Sequence, residues 1–196
     1  ASVSAAVLIA GAASLGVPLY QHVGGVNACT LPSPAAGVGG GNTRYGRGEG
    51  GGDKPSYSFQ CYGFDTFAEA SYAGVQTAKE LQKLVKERFG MTFPGRMFQW
   101  QFIQEGTIDH DREIWRMMSE VIERCGYQDK VGIQMDSGAC TYYDKEKEVY
   151  TGIFSRGEKT RDEMIELYKE MVNDYPFVIL EDPLDENDYE GHAILT

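Results

Sequence analysis

Two acidic residues in this sequence each end a short apolar segment. Asp136 follows 131–135, and Glu181 follows 177–180. Both segments are typical of buried parallel strands, whose carboxyl ends lie at one edge of a sheet about 4.8 Å apart. Converging carboxylates repel each other unless a proton or cation lies between them. Mg²⁺ binds such oxygens, so the pair predicts a magnesium site with the carboxyl groups roughly 4 to 6 Å apart. The alternative is that each residue caps the loop or helix that follows.

A second candidate for ligand binding is the stretch 37–52, which contains nine glycines. It is interpreted as a loop, because glycine loses the most conformational entropy in regular structure. Its backbone N–H groups could bind an anion, with Arg44, Arg47 and Lys54 assisting on a phosphate or carboxylate. The stretch has no GxxxxGK[ST] motif, so it does not indicate a P-loop. A lid or a surface loop remains the alternative.

Strand and helix patterns alternate around these candidates. Thr66 with Glu69 and Thr160 with Glu163 have the spacing of capping boxes, and Gly126 is a helix stop. This alternation predicts an α/β fold with a parallel sheet, either a barrel or a doubly wound fold. The other predicted elements are a helix over 1–15, a connector over 17–23, strands over 31–38, 57–62 and 98–103, a helix from near Asp109 or Asp111, and a hairpin over 140–153.

Charge and cysteine content limit the class of protein. The formal net charge is -11, with most of the acidic residues in 101–196. This argues against nucleic acid or an anionic membrane as the main partner, although solubility alone explains much of the charge. The four cysteines form no CxxC pair, so a structural zinc site is not predicted. Free thiols suit a reducing cytoplasm. The apolar segment 1–16 lacks a positive start and is too short to span a bilayer.

Two stretches of the sequence are distinctive, GYQDKVGIQMD at 126–136 and DYPFVILEDPLDENDYEGH at 174–192. They resemble the enolase family, which dehydrates 2-phosphoglycerate in glycolysis (phosphopyruvate hydratase). AGAASLGVPLYQHVGG at 10–25 is also similar, as is LPSP at 31–34 followed by three glycines. The resemblance extends over most of the chain and is densest at its two ends.

The resemblance implies a fold and a chemistry. Residues 1–30 would be the end of a lid domain with its linker helix region. Residues 31–196 would be the first part of an enolase-like (β/α) barrel of TIM type, represented only in part. Because an unclosed sheet leaves an unpaired edge strand, we expect residues 1–196 not to be a stable monomer alone. Asp136 and Glu181 correspond to two Mg²⁺ ligands, and the third ligand and the catalytic lysine would lie beyond Thr196.

The implied activity is that of a Mg²⁺-dependent carbon–oxygen lyase acting through a metal-stabilised enolate. Its substrate would be a small-molecule carboxylate or phosphate, such as 2-phosphoglycerate or a related acid. We also expect a cytoplasmic homo-oligomer with no nucleic-acid or membrane partner. Arg44 is the candidate substrate-binding residue.

The sequence departs from the family at three motifs. The histidine of a Ser-His-Ala-Gly loop is missing at 41–44, and the glutamate of a Gln-Glu-Phe motif is missing near 55–57. The acidic partner of an Asp-Glu-Gly-Gly loop aligns with Gln101, or with Glu105 if the loop is shorter, and Glu105 is the preferred catalytic candidate. Since general acid/base groups each contribute roughly 10²- to 10⁴-fold, dehydration of 2-phosphoglycerate is expected to be weak or absent. A catalytically impaired protein with a binding or structural role is the alternative.

Overall fold

The structure is a computed structural model that describes residues 1–40, 45, 54–90 and 106–196. The predicted strand over 98–103 lies outside these residues. Two compact units are present, Ala1–Pro32 and Ser33–Thr196.

The first unit consists of two helices and a short 3₁₀ turn. Helix α1 (Ser2–Leu15) ends at Gly16, which adopts φ 66°, so the helix predicted over 1–15 is confirmed. The connector predicted over 17–23 is wrong, because helix α2 (Leu19–Gly24) begins directly after Pro18. Proline interrupts a helix that precedes it but is compatible with the start of the next one. No single described helix is long and apolar enough to cross a membrane; α1 and the segment 19–27, bent by 96°, meet that test only together and only by length and composition.

The second unit alternates strands and helices, which confirms the α/β class. Its elements in chain order are β1 (Ala35–Gly40), β2 (Ser56–Cys61), α3 (Phe67–Phe89), α4 (Arg112–Cys125), β3 (Val131–Asp136), β4 (Tyr143–Asp144), β5 (Val149–Thr151), β6 (Glu158–Lys159), α5 (Arg161–Asp174), β7 (Phe177–Glu181) and α6 (Tyr189–Leu195).

The main sheet has the strand order β1-β2-β3-β7, and only β3 and β7 are parallel. The prediction of a parallel sheet is therefore wrong for β1 and β2. Between β2 and β3 the described residues form the helices α3 and α4, and the chain re-enters the sheet at the end where it left it. Cys61 pairs with Val131, so β3 runs antiparallel to β2. The crossover from β3 to β7 contains the short strands β4 to β6 and one α-helix, α5, and it brings β7 parallel to β3.

The start of the glycine-rich stretch is a strand and not a loop. Residues 37–40 belong to β1, so the loop prediction is wrong there, and the strand predicted over 31–38 begins later, at Ala35. Small residues permit helix α3 to approach this strand closely. A Cβ atom added to Gly74 would lie 3.1 Å from the Cβ of Ala36.

Local signals at the helix ends are confirmed. Both capping boxes form, at Thr66 with Glu69 and at Thr160 with Glu163. Gly126 adopts φ 70° and ends α4. The hairpin predicted over 140–153 is also present as β4 and β5, and the short strand β6 extends it to three strands. These features depend on residues only a few positions apart.

The apolar sequence of β7 predicts burial on both faces of the sheet, and this prediction is wrong. Val178 and Ile179 are 46% and 39% exposed, whereas Phe177 is buried. Within the described part of the chain, β7 pairs only with β3 and is an edge strand. Its helix-facing side packs into the core, where the rings of Trp115 and Phe177 lie 5.8 Å apart.

Candidate functional site

The two acidic residues that end strands in the sequence are neighbours in the structure. Asp136 and Glu181 are direct partners in the register between β3 and β7. Parallel strands place such partners on the same face of the sheet, about 4.8 Å apart along the hydrogen-bonding direction. The structure therefore brings both predicted metal ligands together at one strand end.

The site lies on a polar face of the sheet. Ser56 pairs with Asp136, and Ser58 pairs with Gln134, so these side chains share the face that carries Glu181. The alternate residues of the same strands point to the opposite side. Phe59, Ile133 and Met135 are fully buried there within the apolar core. The period-two alternation of strands thus separates a polar face from the packed core.

A hydrogen-bond chain crosses the polar face and reaches Glu181. The hydroxyl of Ser58 donates to Oε1 of Gln134 at 3.1 Å. The Nε2 group of Gln134 donates in turn to Oε2 of Glu181, at a longer 3.4 Å. The amide can make both bonds because one end accepts and the other donates. Gln134 therefore orients the Glu181 carboxylate, which is otherwise exposed to solvent.

The loop after each strand end is fixed by buried polar groups. The backbone N–H of Ser137 donates to the carbonyl of Glu181 at 3.0 Å, and its hydroxyl donates to the carbonyl of Asp182 at 2.6 Å. The hydroxyl of Tyr168 donates to the carbonyl of Pro183 at 2.6 Å. Burial raises the pKa of Tyr168, so this phenol remains a neutral donor. These bonds hold the Asp136 and Glu181 backbones in a fixed relation.

The two oxygens of Asp136 have different surroundings. The ammonium group of Lys54 forms an ion pair with Oδ2. Oδ1 is buried and has no hydrogen-bond partner among the described residues. A buried carboxylate oxygen left without a partner is costly, and a bound cation is one way in which proteins satisfy it.

This environment fits a hard divalent cation. Oxygen donors from one or two carboxylates are what Mg²⁺ takes from proteins, and Asp136 and Glu181 supply two. The part of the chain that the structure describes contains no group of three or more His, Cys, Asp or Glu that could hold a metal. Further ligands would therefore come from water, from substrate, or from residues outside the described ranges.

Of the remaining predicted site residues, the structure describes only Lys54. Arg44, Arg47, Gln101 and Glu105 lie outside the described residues. Lys54 is at the site, but its ammonium contacts Asp136. No local pattern predicts that contact, because it depends on the pairing of β2 with β3.

His110 has a structural role. Its Nδ1 atom accepts a hydrogen bond from the backbone N–H of Arg112 at 3.0 Å, and its ring lies edge-on to Trp115. Burial, with the nearby Arg112 guanidinium, lowers the pKa of His110 to about 4. The imidazole is therefore neutral at neutral pH, as its acceptor role requires.

Sequence reasoning missed a further carboxyl group, that of Asp111, which is fully buried. Its Oδ1 accepts from the hydroxyl of Tyr45 at 2.5 Å, and its Oδ2 accepts from the hydroxyl of Tyr57 at 2.7 Å. The Nε1 group of Trp115 donates to the Tyr57 oxygen at 2.9 Å. No local motif marks this cluster, because its members come from separate parts of the chain.

The chain is similar to known proteins of one family. Residues 30–196 match the family model described as the enolase C-terminal TIM barrel domain. The chain is 36% identical over 197 residues to the enolase of Methanococcus maripaludis strain C7 and 36% identical over 199 residues to that of Methanopyrus kandleri. It is 30% identical over 200 residues to the enolase of Corynebacterium kroppenstedtii. These alignments cover 99% to 100% of this chain and 44% of each relative, so the chain spans less than half the length of these relatives.

Proposed function

This chain belongs to the enolase family, and from that premise we propose that the protein is a Mg²⁺-dependent carbon–oxygen lyase of the enolase type. The observation that supports the proposal best is the in-register pairing of Asp136 with Glu181 at the ends of β3 and β7. The substrate would be a small carboxylate, either 2-phosphoglycerate or a related acid. The reaction would proceed through an enolate of that acid.

Asp136 and Glu181 would hold the metal ion through their carboxylate oxygens. When bound, Mg²⁺ supplies positive charge that stabilises an enolate and acidifies the proton next to the substrate carboxylate. The residues around the pair act on its geometry. Gln134 orients the Glu181 side chain, and Ser137 fixes the ends of both strands through its bonds to the segment after Glu181.

The proposal includes roles for residues outside the described ranges. Arg44 would bind the anionic substrate, and Glu105 would act in acid/base chemistry. We further propose a cytoplasmic homo-oligomer whose partners are small molecules and not nucleic acid or membrane. The family membership supports these parts of the proposal only in general terms.

Substitution of the two carboxylates tests the metal site in the full-length protein. Loss of an outer-shell group commonly costs 10- to 100-fold in metal affinity or activity, so Asp136→Asn and Glu181→Gln should each weaken Mg²⁺ binding by at least about tenfold. Glu166→Gln is the matched control, because Glu166 is an exposed carboxylate that pairs with Lys169 on helix α5. Calorimetric titration with Mg²⁺ measures the affinities. Equal binding by wild type, both site variants and the control would refute the proposal.

A specific observation also favours the alternative of an enolase-like protein with impaired catalysis. Ser56, which falls within the stretch where the family motif has its glutamate, lies directly across from Asp136 on β2. A hydroxyl group thus stands beside the proposed metal ligand where a carboxylate would be expected. Assays with 2-phosphoglycerate decide between the two functions. Mg²⁺ binding with turnover at least about 100-fold below that of a related enolase would support the impaired form or a different substrate.

A further inference from the structure

Lys54 is held in place at both ends. Its ammonium group contacts Oδ2 of Asp136, and its backbone carbonyl accepts a hydrogen bond from the hydroxyl of Tyr142. Tyr142 itself is buried. The side chain is therefore anchored at its base by the segment that follows β3 and at its tip by the last residue of β3.

The path of the Lys54 side chain crosses a position that has no side chain of its own. A Cβ atom added to Gly138 would lie 2.9 Å from Cγ and 3.4 Å from Cβ of Lys54. Gly138 also adopts φ 51°, and the N–H of its neighbour Ala139 donates to the carbonyl of Asp182 at 3.0 Å. Glycine tolerates both the conformation and the close approach. The backbone around Asp136 thus leaves room for the Lys54 methylene groups.

We propose that Lys54 competes with the divalent cation for Asp136 and so sets the metal affinity of the site. This inference rests on the proposed function. Asp136 and Glu181 together carry two negative charges, and the ammonium of Lys54 neutralises one of them. A cation that approaches the pair must either displace Lys54 from Oδ2 or bind Oδ1 while a positive charge remains next to it. Either course weakens binding relative to the two carboxylates alone.

The size of the effect follows from charge and exposure. Two unit charges a few ångströms apart near a protein surface interact strongly, but Lys54 is about one-third exposed and solvent screens its charge. Removal of the ammonium should therefore tighten Mg²⁺ binding by about tenfold. This is less than the change in affinity that unscreened charges at the same distance would give.

The test measures Mg²⁺ affinity by calorimetry in the full-length protein without substrate. Lys54→Met keeps an unbranched chain of similar length and removes the charge. Lys130→Met is the matched control, because Lys130 directly precedes β3, at the other end of that strand and about 20 Å from Asp136. We expect the dissociation constant to fall about tenfold in Lys54→Met and to stay unchanged in Lys130→Met. Lys54→Gln should act in the same direction if the methionine variant folds poorly.

A double variant shows whether the effect acts through Asp136. Asp136→Asn should weaken binding, and adding Lys54→Met to it should give no recovery. Unchanged or weaker binding in Lys54→Met, with binding lost in Asp136→Asn, would overturn the competition and leave the metal site intact. Tighter binding in Lys54→Met that persists in the double variant would also overturn it. Binding that is indifferent to Asp136→Asn would overturn the metal site and the competition together.

Discussion

Asp111 and Asp136 lie on opposite faces of strand β2, and their carboxylate oxygens have different partners. Asp111 bonds to Tyr57 on the core side, whereas Asp136 lies across from the adjacent residue, Ser56, on the polar side. Both oxygens of Asp111 accept hydrogen bonds from tyrosine hydroxyls. In Asp136, Oδ2 pairs with Lys54, and Oδ1 has no partner within the described ranges.

Asp111 has the surroundings of a structural carboxyl group, whereas those of Asp136 fit the role proposed for it as a metal ligand. Buried polar groups are normally satisfied, and a satisfied network makes a core more specific. Asp111 meets that description, and we assign it a role in stability. Asp136 does not, because its Oδ1 has no hydrogen-bond partner among the described residues, and the residue pairs with Glu181 at the end of two parallel strands. Burial alone does not distinguish the two carboxyl groups, whereas the hydrogen-bond partners of each oxygen among the described residues do.

Replacement of Asp111 should have the largest effect on stability. Asp111→Ala removes the acceptor for the hydroxyls of Tyr45 and Tyr57 in a fully buried place. The expected loss is about 3 to 5 kcal/mol of unfolding free energy, since hydrogen bonds to charged groups and unsatisfied buried donors each cost about 1 to 3 kcal/mol. Urea denaturation of the full-length protein measures it. Asp109→Ala, at an exposed position two residues earlier, is the control and should change little.

His110, the residue before Asp111, should make the free energy of unfolding depend on pH. Its pKa is lowered to about 4 in the folded state, chiefly by burial, against about 6.5 when unfolded. The unfolded chain therefore takes up a proton first as the pH falls, so stability is full above pH 6.5 and is lost between about 6.5 and 4. The loss has an upper limit of roughly 3 kcal/mol.

His110→Asn keeps an acceptor for the Arg112 N–H and removes the titration. Denaturation midpoints measured from pH 8 to pH 4 should fall less steeply in this variant than in wild type. His192→Asn serves as the control and should keep the wild-type slope. An identical slope in all three proteins would show that His110 does not carry the effect.

A smaller change on the same network is Tyr57→Phe. The variant removes the hydroxyl that donates to Asp111 and accepts from Trp115 while keeping the ring. We expect a loss of about 2 kcal/mol, because two buried bonds disappear and the Trp115 N–H is left to find another acceptor. Tyr72→Phe, at a position 62% exposed, is the control. A loss no greater than that of the control would mean that the network contributes little.

Asp136→Asn should have the smallest effect on folding. The variant removes a partly exposed ion pair with Lys54, and such pairs contribute about 1 kcal/mol or less. The unfolding free energy measured without Mg²⁺ should therefore change by no more than about 1 kcal/mol in either direction. A loss as large as that of Asp111→Ala would mean that both aspartates are structural and would contradict the difference proposed between them.

Local features of the fold were predictable because their causes are local. The capping boxes at Thr66 and Thr160 and the helix stop at Gly126 each involve residues within four positions of one another. The strand ends at Asp136 and Glu181 followed from apolar segments bounded by charge, and the family resemblance at 126–136 and 174–192 supported them. The enolase family and its TIM barrel domain were recognised in this way, and the family match over 30–196 confirms them.

The way in which these segments meet depends on tertiary contacts. The antiparallel direction of β2 depends on its register with β3, and the exposure of Val178 depends on which strands flank β7. The contact of Lys54 with Asp136 and the network around Asp111 join residues that lie far apart in the chain. Local sequence carries no record of such contacts, because they arise from strand register and from the packing of helices on a sheet. Local sequence was therefore enough to predict most of the elements, the family and the two strand-end carboxylates, whereas tertiary packing set which carboxylate oxygens have hydrogen-bond partners within the described residues.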